Sequence, residues 1–283
     1  MKQFEGRVAV VTGAASGIGF SLASQFAAAG CRLAIADLEA GPLEAAAARL
    51  RQAGAEVVAV PTDVSDPDAV AAFAEATESA FGRANILSNN AGVEGGEQFD
   101  RIPMATWEWV MAVDFWGVLH GCRSFLPLLR REEEAHIVNT GSLASFATGT
   151  PTMTPYVCAK FAVLALSESL EIELRAEDSP VRVSLLAPGP VRTRMTEAER
   201  NRPAHVPPTD ASPARRQVLE TLREATDASG HDPDEVAAMV LEAIREERFF
   251  VLPHPNEALA GLERRRLWMS ENQPPPVRRP AAT

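Results

Sequence analysis

Hydrophobic positions along the chain fall into two alternating patterns. Short, nearly unbroken apolar runs lie at 7–12, 31–36, 56–60, 85–88, 136–139, 181–186 and 248–251. Longer stretches separate them, in which apolar and polar residues mix at helical spacing, at about 17–29, 41–53, 67–81, 104–130 (with breaks near its start), 156–176 and 233–247. An unbroken apolar run of strand length fits a strand covered on both faces, as in a parallel sheet. Strands alternating with longer helices predict right-handed crossovers, and so an α/β fold built on a doubly wound parallel sheet with helices on both faces. Local punctuation agrees: Gly54 stops the second helix, and Ser65-Asp66-Pro67 supplies a cap followed by a first-turn proline. No linker or fixed-period repeat divides the chain, so 1–283 reads as one domain. Residues 192–232 break the pattern. Polar and proline-rich, they read as a substrate loop or lid without regular structure. A flexible tail is expected from about 271.

Composition adds exclusions. With 46% hydrophobic and 23% charged residues, the chain can bury a sizeable core. A formal net charge of −11 argues against a nucleic-acid partner, which calls for a basic face. It leaves room for an anionic ligand held by backbone N–H groups. Cys31, Cys122 and Cys158 are odd in number and widely spaced, fitting neither a disulfide framework nor a zinc site. They read as buried, reduced thiols of a cytoplasmic protein. The scattered histidines give no metal spacing, and His254 reads as a loop residue. Arg264-Arg265-Arg266 reads as a solvated helix face. The N-terminus lacks a signal peptide's apolar core. No stretch has the length and apolarity of a membrane span, so no membrane association is expected.

The candidate chemistry starts where the first apolar run meets Gly13-Ala14-Ala15-Ser16-Gly17-Ile18-Gly19. Glycine serves where a chain turns through positive φ or must approach another group without a Cβ. A helix opening at such a turn aims free N–H groups and its positive dipole end at one point, which suits a phosphate. Asp37 ends the second apolar run, where a carboxylate can bind ribose hydroxyls and repel a 2′-phosphate. No Arg or Lys stands at Leu38 or in the turn at Ala14-Ala15, which favours NAD over NADP. Asp63, with the Val64 N–H, is a candidate for an adenine amino group; as a turn residue before Ser65 it has a simpler reading. Further on, Tyr156 and Lys160 are four residues apart and so share a helix face. A phenol titrates near about 10, too high for an efficient base at neutral pH, and a neighbouring ammonium lowers that value. Such a tyrosine can exchange a hydroxyl proton while a hydride moves to or from a nicotinamide. Ser142 is a second hydroxyl for the same substrate oxygen.

Taken together, Thr12-Gly-Ala-Ala-Ser-Gly-Ile-Gly19, Asp63-Val64, Asn89-Asn-Ala-Gly92, Gly141-Ser142, Tyr156-x-x-x-Lys160 and Pro188-Gly-Pro-Val-Arg-Thr193 resemble the short-chain dehydrogenase/reductase family, in its order and over about residues 5–195. The resemblance implies a Rossmann-type sheet of about seven strands in the order 3-2-1-4-5-6-7. It implies Tyr156 as acid/base, Ser142 orienting the substrate oxygen, and Lys160 binding the nicotinamide ribose while lowering the tyrosine pKa. Gly13, Ser16, Gly17, Ile18 and Gly19 would surround the pyrophosphate, and Asp37, Leu38, Asp63 and Val64 the adenosine. Asn90, Ala91 and Gly92 would shape the end of the fourth strand beside the cofactor. Pro188, Gly189, Val191 and Thr193 would face the nicotinamide, with Thr193 on its carboxamide.

Two departures stand out. Asp114 occupies the position of the family's usual relay asparagine. It can still accept hydrogen bonds from a water or an ammonium, and it adds negative charge near Lys160. Ser142 precedes Tyr156 by 14 residues, one more than the family spacing, and Pro155 directly precedes the tyrosine, so a one-residue bulge is expected in that loop. Ser145 there reads as structural. The expected activity is an NAD-dependent alcohol dehydrogenase/ketone reductase acting on a small molecule with an apolar body, in a homodimer or homotetramer without a metal. The alternatives are a non-redox NAD-sensing protein and a lyase or epimerase that recycles its NAD.

Overall fold

In the computed structural model, which describes residues 1–148, 150–209 and 212–275, seven parallel strands form one sheet. They are β1 (Val8–Thr12), β2 (Arg32–Asp37), β3 (Val57–Pro61), β4 (Ile86–Asn89), β5 (Ala135–Thr140), β6 (Val181–Leu186) and β7 (Phe250–Val251). The order is β3-β2-β1-β4-β5-β6-β7, as expected. The register is regular: Val10 pairs with Ala34 on one side and Leu87 on the other. Between β1 and β4 the strand order reverses, which opens a crevice at the carboxyl ends of the strands.

Helices α1 (Gly17–Ala28), α2 (Ala40–Gln52) and α8 (Pro233–Glu246) cover one face of the sheet. Helices α3 (Pro67–Phe81), α5 (Gly117–Leu129) and α6 (Thr154–Ala176) cover the other. The strand runs are unbroken because successive residues serve opposite cores. In β1, Ala9 and Val11 pack with Leu22 and Phe26 of α1, and Val8 and Val10 with Phe73 and Phe125 of α3 and α5. Phe73 and Phe125 meet edge to face at 5.4 Å. Each such fully buried ring contributes about 1.5–3 kcal/mol of burial free energy.

The long helix between β4 and β5 is continuous but not uniform. Helix α4 (Met104–Met111) passes into α5 through a π-helical turn at Ala112–Trp116 that carries Asp114. Wide turns of this kind occur often at functional sites, because they re-aim one side chain without ending the helix.

Three expectations need correction. The segment 192–232 is not irregular: it holds a 3-10 stretch at Met195–Asn201 and a helix of 17 residues, α7 (Pro213–Ser229). Ser212 caps α7 by accepting from the Arg215 N–H, and Pro213 sits in its first turn. The proline that argued against regular structure is thus a helix starter. A further helix, α9 (Pro255–Ser270), opens the same way and extends well beyond the helix face expected at Arg264–Arg266. Among the thiols, Cys31 and Cys122 are buried, burial pushing each pKa up to about 12, but Cys158 is exposed. The expected tail begins just after α9; residues 276–283 lie outside the described residues.

Candidate active site

The glycine turn is built as its spacing requires. Gly13 and Gly17 have φ of 65° and 54°. A Cβ on Gly19 would fall 2.1 Å from the Gly13 carbonyl oxygen, and one on Gly13 would fall 2.8 Å from Ala91 Cα. The turn is locked to the end of β4: Thr12 Oγ1 accepts from the Asn90 and Ala91 N–H groups at 3.0 and 3.1 Å, and Asn90 Nδ2 donates to Thr12 O. Helix α1 starts at Gly17, so its first N–H groups face the crevice without intrahelical partners. This glycine cradle, closed to any Cβ, fits the pyrophosphate of a dinucleotide.

The crevice runs from Asp37, Leu38, Asp63 and Val64 at one end to Tyr156, Lys160, Pro188 and Thr193 at the other. Gly13, Ser16, Gly17, Ile18, Asn90, Ala91 and Gly92 lie between. Asp37 Oδ2 accepts from the Ala15 N–H and Oδ1 from the Glu39 N–H, both at 3.0 Å, which fixes the carboxylate and leaves lone pairs for ribose hydroxyls. Asp63 Oδ1 accepts from both the N–H and the hydroxyl of Ser65, so its turn role is real although it also lines the crevice. A feature missed in the sequence is Arg200, from the 3-10 stretch, which reaches this end and pairs with Glu39 at 3.1 Å.

A second, inner cavity of about 490 Å³ meets the crevice at Tyr156. Ser142, Leu143, Ala144, Met153, Gly189 and Val191 line it, with Leu222 and Thr226 of α7 and Ala260 and Arg264 of α9. Gly189 and Val191 therefore face this cavity, while Pro188 and Thr193 border both. His254 is no idle loop residue: its Nδ1 accepts from the Gly189 N–H at 3.2 Å and so holds the Pro188–Pro190 turn. The arginine cluster is a solvated face only in part: Arg266 is exposed and pairs with Glu263, while Arg264 lines the cavity and Arg265 lies 4.5 Å from the Phe161 ring centre.

Tyr156, Ser142 and Lys160 come together where the cavities join. Ser142 and Tyr156 both line the inner cavity, and the Ser142 hydroxyl accepts from the Ala144 N–H at 3.1 Å. Lys160 Nζ lies 5.5 Å from the Tyr156 ring centre and donates to Thr140 O at 3.1 Å. Burial is the largest influence on Tyr156 and pushes its pKa up; Lys160 and Ser142 pull it back, and the balance stays above the ordinary phenol value. The lowering expected from Lys160 is present but outweighed. Ser145 is structural as expected: its hydroxyl accepts from the Ser142 N–H and donates to Lys160 O at 2.8 Å. Pro155 occupies the first turn of α6, and Thr152 takes a left-handed φ of 62° in the preceding loop. A left-handed residue is one way a loop accommodates an extra member. Gly149 lies outside the described residues.

Asp114 touches neither cavity. Its Oδ1 accepts from the Val93 N–H at 2.7 Å, and its Oδ2 lies 3.1 Å from Lys160 Nζ. Burial opposes charge on both partners. It raises the Asp114 carboxyl, and it is also the largest influence on Lys160, where Asp114 and Tyr156 together outweigh it and hold the pKa above the ordinary lysine value. Lys160 therefore stays an ammonium. The aspartate contacts it directly. Among the described residues no group of three or more His, Cys, Asp or Glu is arranged to hold a metal ion, and no helix is long and apolar enough to cross a membrane.

Known proteins match this arrangement across the chain. The family model for short chain dehydrogenases matches residues 7–204. A 1-deoxy-11-beta-hydroxypentalenate dehydrogenase of Streptomyces arenae is 35% identical over 258 residues, covering 89% of this chain and 84% of its own. A 2-(R)-hydroxypropyl-CoM dehydrogenase of Xanthobacter autotrophicus is 37% identical over 201 residues, covering 70% of this chain and 79% of its own. A crystal structure of a short-chain dehydrogenase/reductase from Burkholderia phymatum in complex with NAD superposes with a TM-score of 0.94 at 37% identity, covering 99% of this chain and all of that one. With its glycine turn, its reversed strand order and its Tyr156–Lys160 pair, the chain belongs to the short-chain dehydrogenase/reductase family of oxidoreductases.

Proposed function

We propose that the protein is an NAD-dependent alcohol dehydrogenase/ketone reductase acting on a secondary alcohol or its ketone. The observation that carries this reading is the convergence of Ser142, Tyr156 and Lys160 at the junction of a nucleotide-shaped crevice and a largely apolar cavity. The nicotinamide cofactor supplies or accepts the hydride. Tyr156 gives its phenolic proton to the carbonyl oxygen in reduction and takes the hydroxyl proton in oxidation. Ser142 orients that oxygen. Lys160 keeps a positive charge beside the phenol and serves the nicotinamide ribose, with Asp114 behind it as its counter-ion. Thr193 and the backbone near Val191 serve the carboxamide.

The choice of NAD rests on charge at the adenosine end. Asp37 and Glu39 bring two carboxylates there, and the two guanidiniums that line the crevice are already paired, Arg200 with Glu39 and Arg194 with Glu197. A 2′-phosphate would meet net negative charge. Apolar side chains left exposed on Trp116, Ile172 of α6, and Leu259 and Leu262 of α9 support a homodimer or homotetramer.

The activity is tested with a panel of secondary alcohols and ketones, following reduced nicotinamide. NAD(H) is expected to exceed NADP(H) in kcat/KM by at least about tenfold, and Asp37→Ala to narrow that ratio; equal use of both by the native chain would remove the role given to Asp37. Tyr156→Phe is expected to lower kcat by about 10²–10⁴-fold while NADH binding, read by fluorescence, persists. Because the Tyr156 pKa lies above the ordinary phenol value, the phenol is protonated at neutral pH. Reduction should therefore hold through neutral pH and fall in the alkaline range, while oxidation should climb there. Asp114→Asn removes the carboxylate that keeps Lys160 charged against burial. Its alkaline limb should move to lower pH, and an unchanged rate and pH profile would leave Asp114 without a special role. Light scattering of the purified chain should give the mass of two or four copies, and a monomer would refute the assembly.

A further inference from the structure

Two histidines meet behind the Pro188–Pro190 turn. His254 is buried, stands between Pro253 and Pro255, and caps the start of α9. His231 lies between α7 and α8, and its ring meets that of His254 edge to face at 4.7 Å. His231 holds the turn through its backbone: its N–H donates to Pro190 O at 3.1 Å, and its carbonyl accepts from the Arg192 N–H at 3.0 Å. His254 holds it through its side chain, where Nδ1 accepts from the Gly189 N–H at 3.2 Å. The fit is close. A Cβ on Gly189 would fall 2.9 Å from His254 Nδ1 and 2.8 Å from Leu143 Cδ1. On the side of the substrate hydroxyls, Pro188 O accepts from the Leu143 N–H at 2.9 Å, directly after Ser142.

The direction of the Gly189 bond fixes the state of the His254 ring. A backbone N–H only donates, so Nδ1 must be bare and the proton of the neutral ring sits on Nε2. An imidazolium carries N–H on both nitrogens and accepts on neither. Protonation therefore sets two donors head to head and frees the turn on that side. Charged and polar groups reach His254 from three elements. His231 lies beside it, with Glu235 Oε2 of α8 3.0 Å from its Nδ1 and Pro253 O 3.1 Å from its Nε2. Glu257 acts from α9 and the Ser229 backbone from the end of α7. Burial and His231 oppose charge on His254 more than Glu257 and Ser229 favour it, which holds its pKa below the ordinary histidine value. The ring is thus neutral at neutral pH and loses its acceptor as the pH falls.

We infer that His254 is a positioning residue for the nicotinamide half of the cofactor: its bare Nδ1 anchors the turn that faces the nicotinamide, and proton uptake at His254 releases that anchor. This rests on the reading above, in which Pro188–Thr193 serve the nicotinamide, and adds an acid limit to it. The effect is confined to one end of the crevice. Thr193 follows the turn and packs against the glycine cradle, where a Cβ on Gly17 would fall 3.0 Å from Thr193 Cγ2. Asp37 and Asp63 lie at the other end. Acid should therefore loosen the hold on the nicotinamide and leave the hold on the adenosine.

The test needs no substrate. Calorimetry compares NAD with ADP-ribose, which keeps the adenosine and pyrophosphate and lacks the nicotinamide, so the ratio of their Kd values isolates the hold on that ring. In the native protein NAD should bind more tightly than ADP-ribose, and the advantage should shrink by about three- to tenfold between about pH 7.5 and about pH 5. His254→Asn sets an amide oxygen where Nδ1 stands and cannot titrate, so it should keep the advantage at both pH values. His254→Ala should lack it at both, while ADP-ribose binding reports that the variant is folded. His231→Gln should retain the fall with pH. An NAD advantage that is absent or indifferent to pH in the native protein would overturn the inference and leave the cofactor reading intact. A fall that persists in His254→Asn, a native-like advantage in His254→Ala, or a fall that vanishes in His231→Gln would each overturn it too. Failure of the native protein to bind either ligand would sink the NAD reading itself, and the inference with it.

Discussion

The buried contact between Lys160 and Asp114 is the constraint on which the site depends. An isolated ammonium inside a protein loses its proton or unfolds its surroundings, since burial alone lowers a lysine pKa by several units in extreme cases. Here three elements supply what Lys160 needs. The π-helical turn brings the carboxylate, β5 brings the Thr140 carbonyl, and α6 carries the lysine itself. The same carboxylate accepts from the Val93 N–H and so pins the loop after β4, which then presents Glu94 to the inner cavity. A single charge pair thus ties the sheet, two helices and a loop to one geometry around Tyr156.

The surroundings are arranged so that the pair tolerates its burial. Ser145 fastens the loop after β5 to α6 through its two hydrogen bonds, so Ser142 and Lys160 cannot drift apart independently. The Phe146 and Leu143 side chains close the far side against the second core. Tyr156 sits among Val93, Trp109 and Val157, an apolar setting that keeps its phenol neutral and strengthens each nearby charge.

Much of this was legible in the sequence, for identifiable reasons. Strands buried on both faces print unbroken apolar runs, and Gly13, Gly17 and Gly19 stand where backbone approaches backbone, so β1, α1 and the turn between them could be read directly. Tyr156 and Lys160 were legible because four residues of helix put them on one face. The closing segment was not. Its prolines suggest disorder when counted, and only their position, one residue after the Ser212 cap and at the start of α9, makes them helix starters. Arg215 gave no local signal at all: its partner, Glu94, is 121 positions away, and nothing in the spacing of a lone arginine announces burial. Asp114 was noticed only as a departure, because direct contact with Lys160 depends on the π turn, which periodicity does not encode.

The two cavities share their wall. Ile18, Tyr156, Pro188, Thr193 and Met195 border both. Whatever fills the crevice therefore lies against side chains that also bound the inner space, which gives two occupants a physical route for coupling. Coupling through such a wall is reciprocal: where one ligand tightens or loosens the other, the second acts on the first by the same factor. A side chain exchanged on that shared wall is therefore felt on both sides of it, and a change made to reshape one space reshapes the other.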